Sequence, residues 1–197
     1  LAHRREMTTG LRHGQHLIAN LARRTVGLGR GVEERDLADG GDDLSVADLA
    51  IIVTSAVDGI EVGTESAWRK CEALGLPRMI FVTREDKHRA DFHAVLAQLR
   101  RVFGPSCAPL ELPLGEEEAF HGVADVLTEE ALEYDPDGRH RKGPLPGDIA
   151  DEEHRLHDEL IEEIVSGDDE QLEKYLTGEI PTIADLERTL AHEVLDC

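Results

Sequence analysis

Four consecutive residues, Thr83, Arg84, Glu85 and Asp86, follow directly on the apolar run Met79-Ile80-Phe81-Val82. A carboxylate carries two acceptor oxygens, so Asp86 suits a planar partner with two adjacent N–H groups, such as the ring N–H and exocyclic amine of guanine. Thr-x-x-Asp after an apolar run is also ordinary turn chemistry, and these residues by themselves leave both readings open. A second set is His154 and His157, flanked by Glu152, Glu153 and Asp158. Two imidazoles three residues apart on a helix can share a zinc ion that a carboxylate completes. No third ligand stands out, and a solvated acidic helix with Leu156, Leu160, Ile161 and Ile164 on its buried side explains the same residues, so no metal site is assigned. His13 and His16 repeat the spacing. The chain has no Gly-x-Ser-x-Gly and no Cys/His pair placed for nucleophilic attack, and no catalytic residue is assigned.

The elements around the first set are readable. Leu49-Ala50-Ile51-Ile52-Val53 is apolar without alternation, as expected of a strand covered on both faces, and 79–82 repeats the pattern after one helical segment. That is a βαβ unit, whose ligands sit beyond the carboxyl ends of the strands, where residues 83–86 fall. The intervening helix is expected over 62–74, with Ala67, Trp68, Cys71 and Leu74 on its core face, Trp68 as an anchor, and Gly75 as its stop. A further helix over 91–102 places Phe92, Val95, Leu96, Leu99, Val102 and Phe103 on the face that packs against the sheet, and Gly104 ends it. A third parallel strand is expected over 108–113. A small sheet with strands over 122–127 and 131–134 follows, then an exposed Pro/Gly-rich connection over 135–147. Helices over about 151–166, 170–177 and 183–195 complete the chain. Asp168 caps the second of these, Gly178 ends it, and Thr182 with Asp185 starts the third.

Charge narrows the class of partner. The chain of 197 residues has a formal net charge of −21, but residues 1–35 hold three acids and seven bases, whereas 143–197 hold seventeen acids and three bases. Sequence-specific nucleic-acid binding by the acidic half is not expected, because neutralising phosphates requires cations. No apolar run reaches the ~18 residues of a membrane span, and three scattered cysteines suit free thiols in a reducing, cytoplasmic setting.

The ordered run "ADLAIIVTSAVDGIEVGTESAWRKCEALGLPRMIFVTREDKHRADF", "GPSCAPLELPLGEEEAFHGVADVLTEEALEY" and "DDEQLEKYLTGEIPTIADLERTL" resembles the G domain of translational GTPases of the elongation factor G type. The resemblance runs from about residue 46 to the C-terminus. In that family the position of Thr83-Arg84-Glu85-Asp86 holds Asn-Lys-x-Asp, sometimes Thr-Lys-x-Asp, which reads guanine. The resemblance therefore implies nucleotide binding by Thr83, Arg84, Glu85 and Asp86. Asp86 would specify the base, the Arg84 stem would cover its face as the family lysine does, and Thr83 would brace neighbouring loops in place of the asparagine. It further implies an α/β fold, a partial P-loop NTPase-like G domain with a parallel sheet and flanking helices plus an α+β inserted subdomain. The expected division is a poorly ordered or atypical N-terminal segment 1–45, a partial G domain 46–114 and the inserted α+β subdomain 115–197.

A phosphate-binding loop requires Gly-x-x-x-x-Gly-Lys-Ser/Thr, whose backbone N–H groups cradle phosphates that the Lys neutralises. The first lysine is Lys70, and no Asp-x-x-Gly precedes the first strand. The expectation is the middle of a G domain, with the guanine-recognition motif retained and GTP hydrolysis negligible. The intact family binds GTP or GDP with Mg²⁺ and acts on the ribosome, including the ribosomal stalk protein; this chain could equally bind no cofactor. The alternative is a non-catalytic acidic module docking on a translation partner, and an inert fragment is a third possibility. Self-association through an unpaired sheet edge is a further expectation.

Overall fold

The computed structural model describes residues 44, 47–135, 137 and 139–195. The helix expected around 15–23, His13 and His16 lie outside the described residues. The described chain forms two compact units, one running to Arg84 and taking in the residues from Val194, the other Glu85–Glu193.

In the first unit the apolar runs become β1 (Ala50–Ser55) and β2 (Arg78–Thr83), joined by α1 (Val62–Leu74). The strands are parallel and in register from Ala50 opposite Arg78 to Ser55 opposite Thr83. Gly75 ends α1 in the left-handed conformation (φ 60°), where its N–H reaches the Cys71 and Glu72 carbonyls, a geometry that costs glycine little. Ala50, Cys71 and Leu76 form a small core with Leu44 and Ala47 against it. Two expected core positions differ. Leu74 is 53% exposed, and Trp68 is half-buried with the Arg78 guanidinium 4.2 Å from its ring centroid. Its π face takes a cation, so the ring serves as a partly solvated platform instead of an anchor. β1 also alternates: Ala50, Ile52 and Thr54 are buried while Val53 is exposed.

In the second unit Asp91 caps α2 (Phe92–Phe103), its carboxylate accepting from the Ala94 N–H at 2.8 Å, and Val95 and Leu99 are buried. The next strand corrects the sequence reading. It is β3 (Glu111–Leu114), not 108–113, and it pairs antiparallel with β4 (Gly122–Asp125) rather than parallel with β1 or β2. β5 (Glu130–Tyr134) and β6 (His140–Pro144) extend the sheet in the order β3-β4-β5-β6. β6 thus occupies part of what was expected to be an exposed connection.

Three helices follow close to their expected positions: α3 (Ala150–Ser166), α4 (Asp169–Leu176) and α5 (Ile183–Leu195). The Asp168 carboxylate accepts from the N–H groups of Glu170 and Gln171, both at 3.0 Å, and so satisfies two donors that α4 cannot pair internally. The Thr182 hydroxyl does the same for Asp185 at the start of α5. Leu112, Leu114, Ala124, Val126 and Ala131 share one core with Leu156, Leu160, Ile161, Ile164 and Val165 of α3 and Leu186 of α5. Burial of each large aliphatic side chain contributes about 1.5–3 kcal/mol, which makes this cluster the main apolar stabilisation of the unit. It also fixes the rotation of α3 and therefore which of its polar residues turn inward. Among the described residues no helix is long and apolar enough to cross a membrane.

Candidate functional site

The carboxyl ends of β1 and β2 are tied together by side chains. The Thr83 hydroxyl donates to the Thr54 carbonyl at 2.9 Å, and the Thr54 hydroxyl donates to the Gly59 carbonyl at 2.6 Å. Ser55 Oγ accepts from the N–H groups of Val57 and Asp58, at 3.1 and 3.2 Å, folding the 55–59 loop over the strand end. The Ala56 N–H reaches the Thr83 carbonyl at 2.8 Å. Arg84, in the left-handed region at φ 68°, aims its guanidinium back at this loop, 2.5 Å from Asp58 Oδ2. A branched or long side chain is uncommon at such a φ, and the ion pair helps hold it there.

Glu85 and Asp86 open the second unit. Asp86 is exposed, and its Oδ2 lies 2.7 Å from Lys87 Nζ. Glu85 is 8% exposed and its Oε1 has no hydrogen-bond partner. Burial, with Glu116, Asp91 and Asp86 nearby, pushes its carboxyl up to about 7. Glu117 Oε1 accepts from the Arg89 N–H at 2.6 Å, and its carboxylate meets His88 Nδ1 at 3.2 Å; the Arg89 N–H first, then His88, hold that carboxyl below its ordinary value. Arg89 and Glu117 both have positive φ, so this clamp joins two tightly turned segments.

The residues singled out on the acidic helix separate. Glu153 is fully buried, His157 is mostly buried, and His154 is exposed. Glu152 faces His93 at 3.4 Å, and Asp158 lies on the solvent side. Sequence reasoning missed Glu129, in the β4–β5 turn, whose carboxylate lies 3.2 Å from His154 Nε2 and 3.9 Å from His157 Nε2. No local signal marks it, because its neighbours in space lie more than twenty residues away in the chain.

The parallel strands, the tied strand ends and the meander with its helices define a G-domain type of α/β protein. Residues 38–186 match the model of the elongation factor Tu GTP binding domain, and the chain belongs to that family. It is 38% identical over 150 residues to elongation factor G 2 of Pseudoalteromonas translucida, covering 75% of this chain and 22% of the relative. Elongation factor G of Mycoplasma pneumoniae is 33% identical over 157 residues, 78% of this chain and 23% of its own length. Among solved structures, a protein of Thermus thermophilus matches with a TM-score of 0.71 and 39% identity, covering 78% of this chain and 23% of that one. The chain thus spans under a quarter of the length of these relatives. The family assignment bears out the expected fold class, a G domain of parallel sheet and helices with an antiparallel-sheet subdomain.

Proposed function

We propose that this chain carries the guanine-reading part of a translational GTPase site, built from Thr83, Arg84, Glu85 and Asp86, and works in the cytoplasm. The observation that carries this reading is the family match across a segment in which Thr-Arg-Glu-Asp begins at the last residue of β2, at the carboxyl end of a parallel strand pair. Asp86 accepts the guanine ring N–H and exocyclic amine, in exchange for the single ammonium of Lys87. Its exposure suits that exchange. The Arg84 stem lies against the base face; its planar guanidinium does not reproduce a lysine, and the Asp58 pair limits where it swings. Thr83 spends its hydroxyl on the Thr54 carbonyl and keeps the two strand ends together. Glu85, between Arg84 and Asp86 in the chain, is the buried member of the four.

Magnesium would supply charge neutralisation at the phosphate end of such a site. Residues 83–86 hold none of that end, and the 197 residues contain no Gly-x-x-x-x-Gly-Lys run. Positioning and charge neutralisation carry most of phosphoryl transfer, so hydrolysis by this chain alone is expected to be negligible. The test is calorimetric titration of the purified chain with GTP, GDP and ATP in the presence of Mg²⁺. The expected result is weak guanine-selective binding, with Kd on the order of 1 mM, lost in Asp86→Ala. Binding of ATP and GTP alike, or full retention in Asp86→Ala, overturns the reading.

A second reading has its own observation. Leu176, Ile180 and Ile183 are exposed at 77%, 81% and 45% on a strongly acidic surface. Exposed apolar residues rimmed by charge suit a protein interface, and a ribosomal partner, the stalk protein in particular, is the proposed occupant.

A further inference from the structure

We propose that Glu129, Glu153 and His157 form a binding site for one divalent transition-metal ion, with zinc as the ion to test. Glu153 and His157 are four residues apart on α3, so they stand one above the other on the same face. The core residues of that helix turn this face inward. Glu129 approaches from the turn between β4 and β5, held at φ 54°, and Asp125 fastens the turn by accepting the N–H groups of Leu127 and Thr128, both at 3.0 Å. One ligand atom from each of the three side chains lies within 4.8 Å of the others.

Two features go beyond a cluster of acids. Glu153 is 0% exposed, and neither of its carboxylate oxygens has a hydrogen-bond partner. A carboxylate buried in that way is costly unless a proton or a cation compensates it. His157 places Nδ1 2.7 Å from the Val126 carbonyl. An N–H at Nδ1 donates to that carbonyl and leaves the Nε2 lone pair on the side of Glu129, an orientation that metal-bound histidines commonly take from a neighbouring carbonyl. His154, 3.2 Å from the other oxygen of Glu129, orients that carboxylate from the solvent side.

Two carboxylates and one imidazole favour zinc, cobalt or manganese over the all-oxygen surroundings of magnesium and calcium. The two negative charges match a divalent ion, and water completes the coordination through the open side at Glu129, whose side chain is 42% exposed. The competing description is a neutral, protonated Glu153. Burial and the Glu129 charge both push its carboxyl upward, which is the condition a bound cation would reverse. The site is independent of the nucleotide reading.

The test uses the full chain, stripped with a chelator and titrated with Zn²⁺ by calorimetry and with Co²⁺ by visible absorption. One equivalent of Zn²⁺ is expected to bind and to raise the melting temperature. Glu153→Gln and His157→Gln are each expected to weaken binding by roughly tenfold or more, while Glu170→Gln, remote on α4, leaves it unchanged. Glu153→Gln keeps the side chain's shape, and circular dichroism of each metal-free variant verifies that it is folded. Equal binding by folded wild type and both site variants places the ion elsewhere and overturns the proposal. So does a folded wild type that takes up neither ion.

Discussion

Glu111 shows how one buried carboxyl shapes the behaviour of this protein. It opens β3 opposite Asp125, its Oε1 has no hydrogen-bond partner, and burial followed by the Asp125 charge pushes it up to about 8. Between the ordinary carboxylate value and about 8, the folded chain holds a proton that the unfolded chain has released. The contribution of Glu111 is therefore fully present below pH ~4.5 and lost as pH rises through about 8. Glu85 acts in the same direction up to about pH 7. Urea denaturation across pH 5–9 is expected to show falling wild-type stability, and Glu111→Gln is expected to recover on the order of 2 kcal/mol at pH 9 with little gain at pH 5. Parallel pH curves for the two proteins would sink this account. At this scale the sequence was informative where chemistry is contiguous, as in residues 83–86. The Glu129, Glu153 and His157 set was half visible as helical spacing; its third member depends on how the β4–β5 turn is laid against α3, which no local pattern encodes.

Pairing within the meander depends on close backbone approach. A Cβ on Gly122 would collide with the Leu132 carbonyl oxygen and sit 3.0 Å from Glu133 Cα, inside β5, whereas one on Gly143 of β6 meets nothing within 4 Å. Gly122→Ala is expected to destabilise the protein by about 2 kcal/mol or more, and Gly143→Ala to stay within about 0.5 kcal/mol. Denaturant melts of both variants check the contrast, and equal effects would contradict it. The legibility of elements follows the same physics. α1 was readable from first to last residue because helical spacing ends at a glycine suited to a left-handed cap. β6 was not, because His140-Arg141-Lys142-Gly143-Pro144 has no apolar face; it is an edge strand held by backbone pairing to β5 and by ion pairs such as Lys142 with Glu130. β3 was seen but misdirected. An apolar run does not encode the direction of its partner, and Pro113, tolerable on an edge strand, was the cue to its place at the end of an antiparallel sheet.

Across the whole molecule the excess of 42 acids over 21 bases dominates long-range behaviour. Repulsion among like charges and attraction to basic partners both weaken as salt shortens the Debye length to about 10 Å at 0.1 M. If the exposed Leu176 and Ile180 seat a ribosomal partner, cosedimentation of the full chain with ribosomes should decline with added salt. It should be abolished by Leu176→Asp combined with Ile180→Asp. Association that is indifferent to both salt and the double variant would exclude that surface. Among the described residues each unit also carries one thiol outside any disulfide: Cys71 in the first, 1% exposed and pushed above its ordinary value by burial, and the half-buried Cys107 in the second. Because only the thiolate is nucleophilic, Cys71 is alkylated only as fast as α1 lifts from its strand. With Cys197 replaced by serine, the half-buried Cys107 marks direct access of the reagent, and Cys71 becomes a clock that times the spontaneous opening of the first unit.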